Sequence, residues 1–149
     1  MRHAEEPSDP RDPDLSAAGR RRASRLATHI PARYGKPDLL IAAAANKRSV
    51  RAFLTLQPLS HKLKKSIDTS FKSLRYAYLA ESLSSNAAYT GASIVICWTH
   101  RELPALAGAL GARPGEYPDP WDEEVFDLIF DFEYGGRRRL TVTEAVQPF

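Results

Sequence analysis

At 149 residues and 16.6 kDa, the chain is long enough to bury most of its apolar surface in one core without a disulfide or metal staple, and it is read as a single domain over 1–149. With 43% hydrophobic and 26% charged residues, eight Gly and eleven Pro, it is neither collagen-like nor of low complexity nor wholly disordered. The net charge of +3 hides a partition: residues 1–14 hold two basic and five acidic side chains, 15–75 fourteen and two, and 76–149 five and eleven.

Residues 4–14, with three prolines and five acids, read as a loop. Ser16 is the expected N-cap of a helix to about Ile30, with Ala23, Leu26, Ala27 and Ile30 on one face and Pro31 as its end. The apolar run Leu39–Ala45 suits a buried strand; at seven residues it is the longest in the chain and far too short to cross a membrane. Ser49 is expected to cap a second helix that turns Val50, Phe53 and Leu54 inward, and Pro58 either kinks that helix or starts a new one. Residues 64–70 form a polar connection, and Phe71–Ser84 a third helix with Leu74, Tyr78 and Leu83 in the core.

Ala92–Trp98 is the clearest buried strand. Its Cys97, the sole cysteine, has no internal partner and reads as a buried thiol in a reducing, cytoplasmic setting. Leu103–Leu110 is a short helix with Pro104 in its first turn and Gly111 at its C-terminal cap. After a loop over 112–124, Phe126, Leu128, Phe130, Phe132 and Tyr134 face one way and Asp127, Asp131 and Glu133 the other. Gly135-Gly136 then reads as a two-residue turn and Arg137–Thr143 as the returning strand. The expected architecture is α/β: a mostly parallel sheet flanked by helices on both faces, with a C-terminal antiparallel hairpin.

The basic middle suits an anionic ligand, from a small phosphate to a polynucleotide; equally, it solvates two helices. It contains no RNA-binding signature and no zinc-ligand spacing, so charge alone does not make a nucleic-acid protein. Open α/β sheets place ligands where strand ends meet helix starts. Three sites qualify: Arg2-His3 before the acidic loop, Arg48 and Arg51 after the first buried run, and His100 after the second. Guanidinium forks match phosphate oxygens, helix N-termini add backbone donors, and a neutral imidazole can act as nucleophile or base near pH 7. His29 and His61 sit late in their helices, where a cation is mildly favourable and no ligand role is needed.

In order and spacing these residues resemble the histidine phosphatase superfamily, the phosphoglycerate-mutase-like proteins. The likeness rests on Arg2-His3-Ala4-Glu5; on Leu15-Ser16-Ala17-Ala18-Gly19-Arg20 running into Ala23; and on Arg51-Ala52 with Thr55 and Pro58-Leu59. It continues through Gly91–His100 with Pro104-Ala105-Leu106, and through Tyr117-Pro118-Asp119-Pro120-Trp121 ahead of Val125-Phe126-Asp127. It implies a phosphomonoester hydrolase for a small phosphorylated substrate, with His3 attacking phosphorus, Arg2, Arg51 and His100 holding the phosphoryl oxygens, and Arg48 as a further phosphate ligand. It implies no metal and no cofactor. Asp68 and Glu102 are the candidate general acids. The alternative is a catalytically impaired relative that binds a phosphorylated ligand or a protein partner. With Met1 alone ahead of Arg2, the apolar strand that leads into the motif in this family is missing. The N-terminal segment is therefore expected to be mobile, with a gap or direct closure between the strands at Leu39–Ala45 and Ile94–Trp98.

Overall fold

The computed structural model describes residues 1–135 and 139–149. In chain order the elements are α1 (Ala17–Tyr34), β1 (Leu39–Ala42), α2 (Arg51–Leu63), β2 (Ile67–Asp68), α3 (Tyr76–Ser85), β3 (Ile94–Cys97), α4 (Leu103–Ala109), β4 (Leu128–Gly135) and β5 (Arg139–Val146). A 3-10 turn over Ser73–Arg75 leads into α3.

β1, β2 and β3 form a parallel sheet in the order β2-β1-β3. From β1 the chain steps one way to β2 and then back past β1 to β3. Right-handed crossovers therefore put α2 and α3 on opposite faces of the sheet. Burial agrees: successive strand residues point to opposite faces, yet Leu40 and Ile41 are both 1% exposed, so both faces are covered. α1 packs on α2, and α3 on α4. Each such Leu or Ile contributes about 1.5–3 kcal/mol, which lets a four-residue strand hold a central place.

β1 and β3 pair directly, Leu39 with Ile94 through Ala42 with Cys97. The strands thus close on each other, and the N-terminal residues lie on the far side of β3. Arg2 bridges Trp98 in parallel register. Trp98 N–H donates to Met1 O and His3 N–H to Trp98 O, both at 3.0 Å. The expectation of a mobile start is corrected here: Arg2, His3 and Ala4 are buried and tied by ladder hydrogen bonds. A small satellite cluster of Ala4, Leu15 and Ala23, with Leu54 against it, fastens the following loop to α1 and α2.

Ser16 caps α1 as expected, accepting from Gly19 N–H at 3.0 Å. Pro31 does not end that helix; the chain keeps helical geometry one turn further, to Tyr34, where Gly35 takes up a positive φ of 82°. A proline's fixed φ fits a helix, so Pro31 deletes one hydrogen bond without forcing a stop. Pro58 likewise lies inside an unbroken α2.

Two apolar faces are phased differently from the sequence reading. α2 buries Ala52, Thr55, Leu56 and Leu59, leaving Val50, Phe53 and Leu54 half-buried. α3 buries Leu79 and Ala80, while Leu74 and Tyr78 are exposed. The connection over 64–70 contains the short strand β2, paired with β1 at Leu40–Ile67 and Ile41–Asp68.

The hairpin is separate from the parallel sheet and pairs Leu128 with Val146 through Gly135 with Arg139. Gly135 is the last residue of β4. The expected turn residue Gly136 and strand start Arg137 lie outside the described residues. No helix among the described residues is long and apolar enough to cross a membrane.

Candidate active site

The ends of β1 and β3 flank the point where the chain's connections diverge, which is where open α/β sheets leave a crevice. Four backbone segments converge there. Residues 1–3 run beside β3, Thr99 and His100 follow it, α2 begins at Arg51, and the acidic loop 4–14 closes over the top.

The loop is placed by two close fits. Ala4 N–H donates to Thr55 Oγ1 at 2.9 Å, and that hydroxyl donates to Arg51 O at 2.8 Å, so one buried threonine joins the His3 segment to the first turn of α2. Gly19 presses on the backbone of Glu5: a Cβ at Gly19 would stand 2.4 Å from Glu5 O. Glu5 O also accepts from Ser16 N–H at 3.0 Å. The Leu15–Gly19 segment therefore works by close backbone approach.

His3 is 3% exposed. Its Nδ1 lies 2.9 Å from Ala4 O. A carbonyl only accepts, so Nδ1 carries the proton and Nε2 keeps its lone pair. Burial pushes the His3 pKa down to about 4, with the Arg2 and Arg51 charges adding to that and the Ala4 hydrogen bond and Glu6 opposing it. The imidazole is therefore neutral near pH 7.

Nε2 faces the Glu6 carboxylate, 3.6 Å from Oε1. Arg2 Nη2 donates to Oε1 at 3.1 Å, and Arg51 Nη1 meets Oε2 at 3.0 Å. The other donors of the two guanidiniums are largely held by backbone. Arg2 Nη1 donates to the carbonyls of Glu123, Val125 (3.3 Å) and Asp122 (3.4 Å), and Arg2 Cζ lies over the Phe126 ring, 3.7 Å from its centre. Arg51 Nε donates to Asp14 O at 3.0 Å and Nη2 to Asp12 O at 2.5 Å. Each arginine thus offers one fixed terminal nitrogen to the same point in space. Burial alone would raise the Glu6 carboxyl; His3, Arg51 and Arg2 outweigh it and hold the group below the usual carboxylate range.

His100 completes the ring. Among the described residues both its ring nitrogens are buried without a hydrogen bond, and Nε2 lies 3.5 Å from the Glu123 carboxylate. Burial, aided by Arg2, lowers its pKa, against the pull of Glu123 and Glu6. Imidazole nitrogens so placed are free to bond to a ligand or to water. Donor atoms of His3, Glu6 and His100 lie within 4.8 Å of one another and could chelate a cation. Two guanidiniums on the same carboxylate oppose that and favour an anion instead.

Compared by sequence, the chain matches no protein-family model and no curated protein. Compared by structure, it is similar to the protein histidine phosphatase SixA complexed with tungstate, with a TM-score of 0.62 and 17% identity over 98% of this chain and 94% of that one. The chain has the histidine phosphatase fold. It is also similar to a mycobacterial glucosyl-3-phosphoglycerate phosphatase, Rv2419c, in complex with inorganic phosphate, with a TM-score of 0.53 and 15% identity over 98% of this chain and 93% of that one.

On this histidine phosphatase fold, Arg2, His3, Arg51 and His100 meet around Glu6. Arg48 does not join them. It is exposed on the turn bridged by Asn46 and Ser49, and its guanidinium has no ion-pair partner among the described residues. Asp68 sits in β2, where its carboxylate accepts from Ser70. The Glu102 carboxylate accepts from Thr99 Oγ1. Neither forms an ion pair with the four cluster residues among those described. The sequence reading missed Glu6, Thr55 as a bond between segments, and the 122–125 carbonyls. Glu6 was hidden in an acidic run that reads as a solvated loop; its spacing from His3 was the one available signal.

Proposed function

We propose that the chain is a phosphomonoester hydrolase acting through a phosphohistidine at His3 on a small phosphorylated substrate. The observation that carries this is the His3 geometry. A buried neutral imidazole has its Nδ1–H fixed on Ala4 O, and its Nε2 is aimed at a point gripped by Arg2 and Arg51. In the first step the Nε2 lone pair forms a bond to phosphorus as the ester P–O bond breaks. The Nδ1–H···O=C hydrogen bond stabilises the positive charge that grows on the ring. Arg2, Arg51 and His100 hold the phosphoryl oxygens in place, so catalysis is positioning and charge stabilisation. In the second step water attacks phosphorus, the P–N bond breaks and inorganic phosphate leaves.

Support comes also from the fold neighbours. Both are phosphatases, each described with a tetrahedral oxyanion, tungstate in one and phosphate in the other. The lone buried thiol of Cys97, pushed up to about 12 by burial, is inert as a nucleophile and suits a reducing, cytoplasmic setting. The test is turnover across a panel of phosphorylated metabolites and an aryl phosphate. Wild type should release phosphate and His3→Ala should not; equal release by both proteins would end the proposal.

A further inference from the structure

The phosphoryl pocket of this chain already contains an anion of its own. Glu6 bridges Arg2 and Arg51 at 3.1 and 3.0 Å and faces Nε2 of His3 at 3.6 Å. A phosphoryl group bound to the same nitrogens must displace it. We propose that Glu6 is the proton-transfer residue of this site: its carboxylate stands at the phosphoryl position in the free protein and, once displaced, carries the proton to the leaving oxygen. This rests on the phosphohistidine reading above.

The local structure permits the exchange. The Glu5 carbonyl is pinned by Ser16 N–H and pressed by Gly19, and Pro7 restricts the backbone of Glu6 to extended conformations. The backbone stays while the side chain, 30% exposed against 3% for His3, is free to swing outward. In-line attack by Nε2 sends the leaving oxygen to the side of phosphorus away from His3, which is where a carboxylate displaced outward from its place facing Nε2 would meet it. Freed from two guanidiniums and set beside a phosphoryl dianion, a carboxyl gains proton affinity.

Protons and electrons balance through both steps. A substrate monoanion passes its phosphoryl proton to Glu6 as its oxygens take over Arg2 and Arg51. Nε2 then bonds to phosphorus, the P–O bond breaks with its electron pair on the leaving oxygen, and that oxygen takes the proton from Glu6 to leave as an alcohol. In the second step the Glu6 carboxylate takes a proton from the attacking water and the P–N bond pair returns to Nε2. The protonated Glu6 hands its proton to the departing phosphate as the arginines recapture it. Glu123 is the competing carboxylate: it lies near His100, is 71% exposed and forms no ion pair with either arginine among the described residues.

The experiment compares wild type, Glu6→Gln, Glu6→Asp and Glu123→Gln on 2,4-dinitrophenyl phosphate, whose leaving group needs no proton, and on an alkyl phosphate, whose leaving group does. Glu6→Gln should lose roughly 10²–10⁴-fold in kcat/KM on the alkyl ester and only a few-fold on the dinitrophenyl ester. Glu6→Asp should recover part of the alkyl activity. Vanadate should bind Glu6→Gln more tightly than wild type, since the internal anion is gone; this also reports that the variant's pocket is folded. Equal losses on both esters, or the same discrimination in Glu123→Gln, overturn the assignment while leaving the phosphohistidine reading intact. Wild type that forms no phosphohistidine even from the dinitrophenyl ester overturns both.

Discussion

Protonating His3 should destabilise the fold, and the size of the effect follows from its environment. In the folded chain its pKa is pushed down to about 4 by burial, with Arg2 and Arg51 adding to the shift. Unfolded, it returns to about 6.5. The unfolded chain then binds more protons between those values, so this group's stabilisation is present above about pH 6.5 and is lost as pH falls toward 4. From pH 7 to pH 5 an unfolded imidazole takes up about three-quarters of a proton and the folded one about a tenth. The integrated loss is about 2 kcal/mol, a large part of a typical stability of about 5–15 kcal/mol. His100 is lowered in the same direction, and Glu5 and Glu6 add losses below their ordinary range, so the His3 share must be read as a difference. His3→Asn supplies it: the amide does not titrate and can still donate to Ala4 O. In urea unfolding at pH 7 and pH 5, wild type should lose about 2 kcal/mol more than His3→Asn. Parallel pH dependences in the two proteins would refute the burial argument.

Thr55→Val removes the acceptor for Ala4 N–H and leaves a buried donor unpaired; it should destabilise by about 1–3 kcal/mol in urea, with Thr55→Ser close to wild type. Gly19→Ala should also destabilise by about 1–3 kcal/mol, because the new methyl meets the Glu5 backbone. It should lower turnover too, and the helix-favouring gain of about 1 kcal/mol expected of Ala at an open site should not appear. Arg51→Lys keeps the charge but loses the bonds to Asp12 and Asp14, so vanadate affinity measured by titration should fall about tenfold, the worth of one net hydrogen bond.

β1, β3 and the hairpin were legible because Leu39–Ala42 and Ile94–Cys97 are unbroken apolar segments and residues 130–134 alternate aromatic residues with acids ahead of a Gly. Helix phase was harder. In α2 the inward face includes Arg51 and Thr55, polar residues that a hydrophobic pattern discards, and it lies on nearly the opposite side of the helix from Val50, Phe53 and Leu54. Leu74 and Tyr78 were expected inside because they are apolar, but the 3-10 turn over Ser73–Arg75 rotates the start of α3 and leaves both outside. β2 escaped notice because two residues, Ile67 and Asp68, have no period to read. At the site, Arg2 and His3 stood out ahead of the acidic loop, and Arg51 and His100 after the two apolar runs. Glu6 did not, since its position depends on how Gly19 and Ser16 fold the loop back, which sequence spacing does not display.

The most direct measurement is capture of the covalent intermediate. The chain is mixed with a radiolabelled aryl phosphate, quenched within one turnover, and the label is located by proteolysis. The account predicts an acid-labile, base-stable adduct on the peptide containing His3, absent from His3→Ala. Label on another residue, or turnover in wild type with no protein-bound label at any quench time, would contradict it.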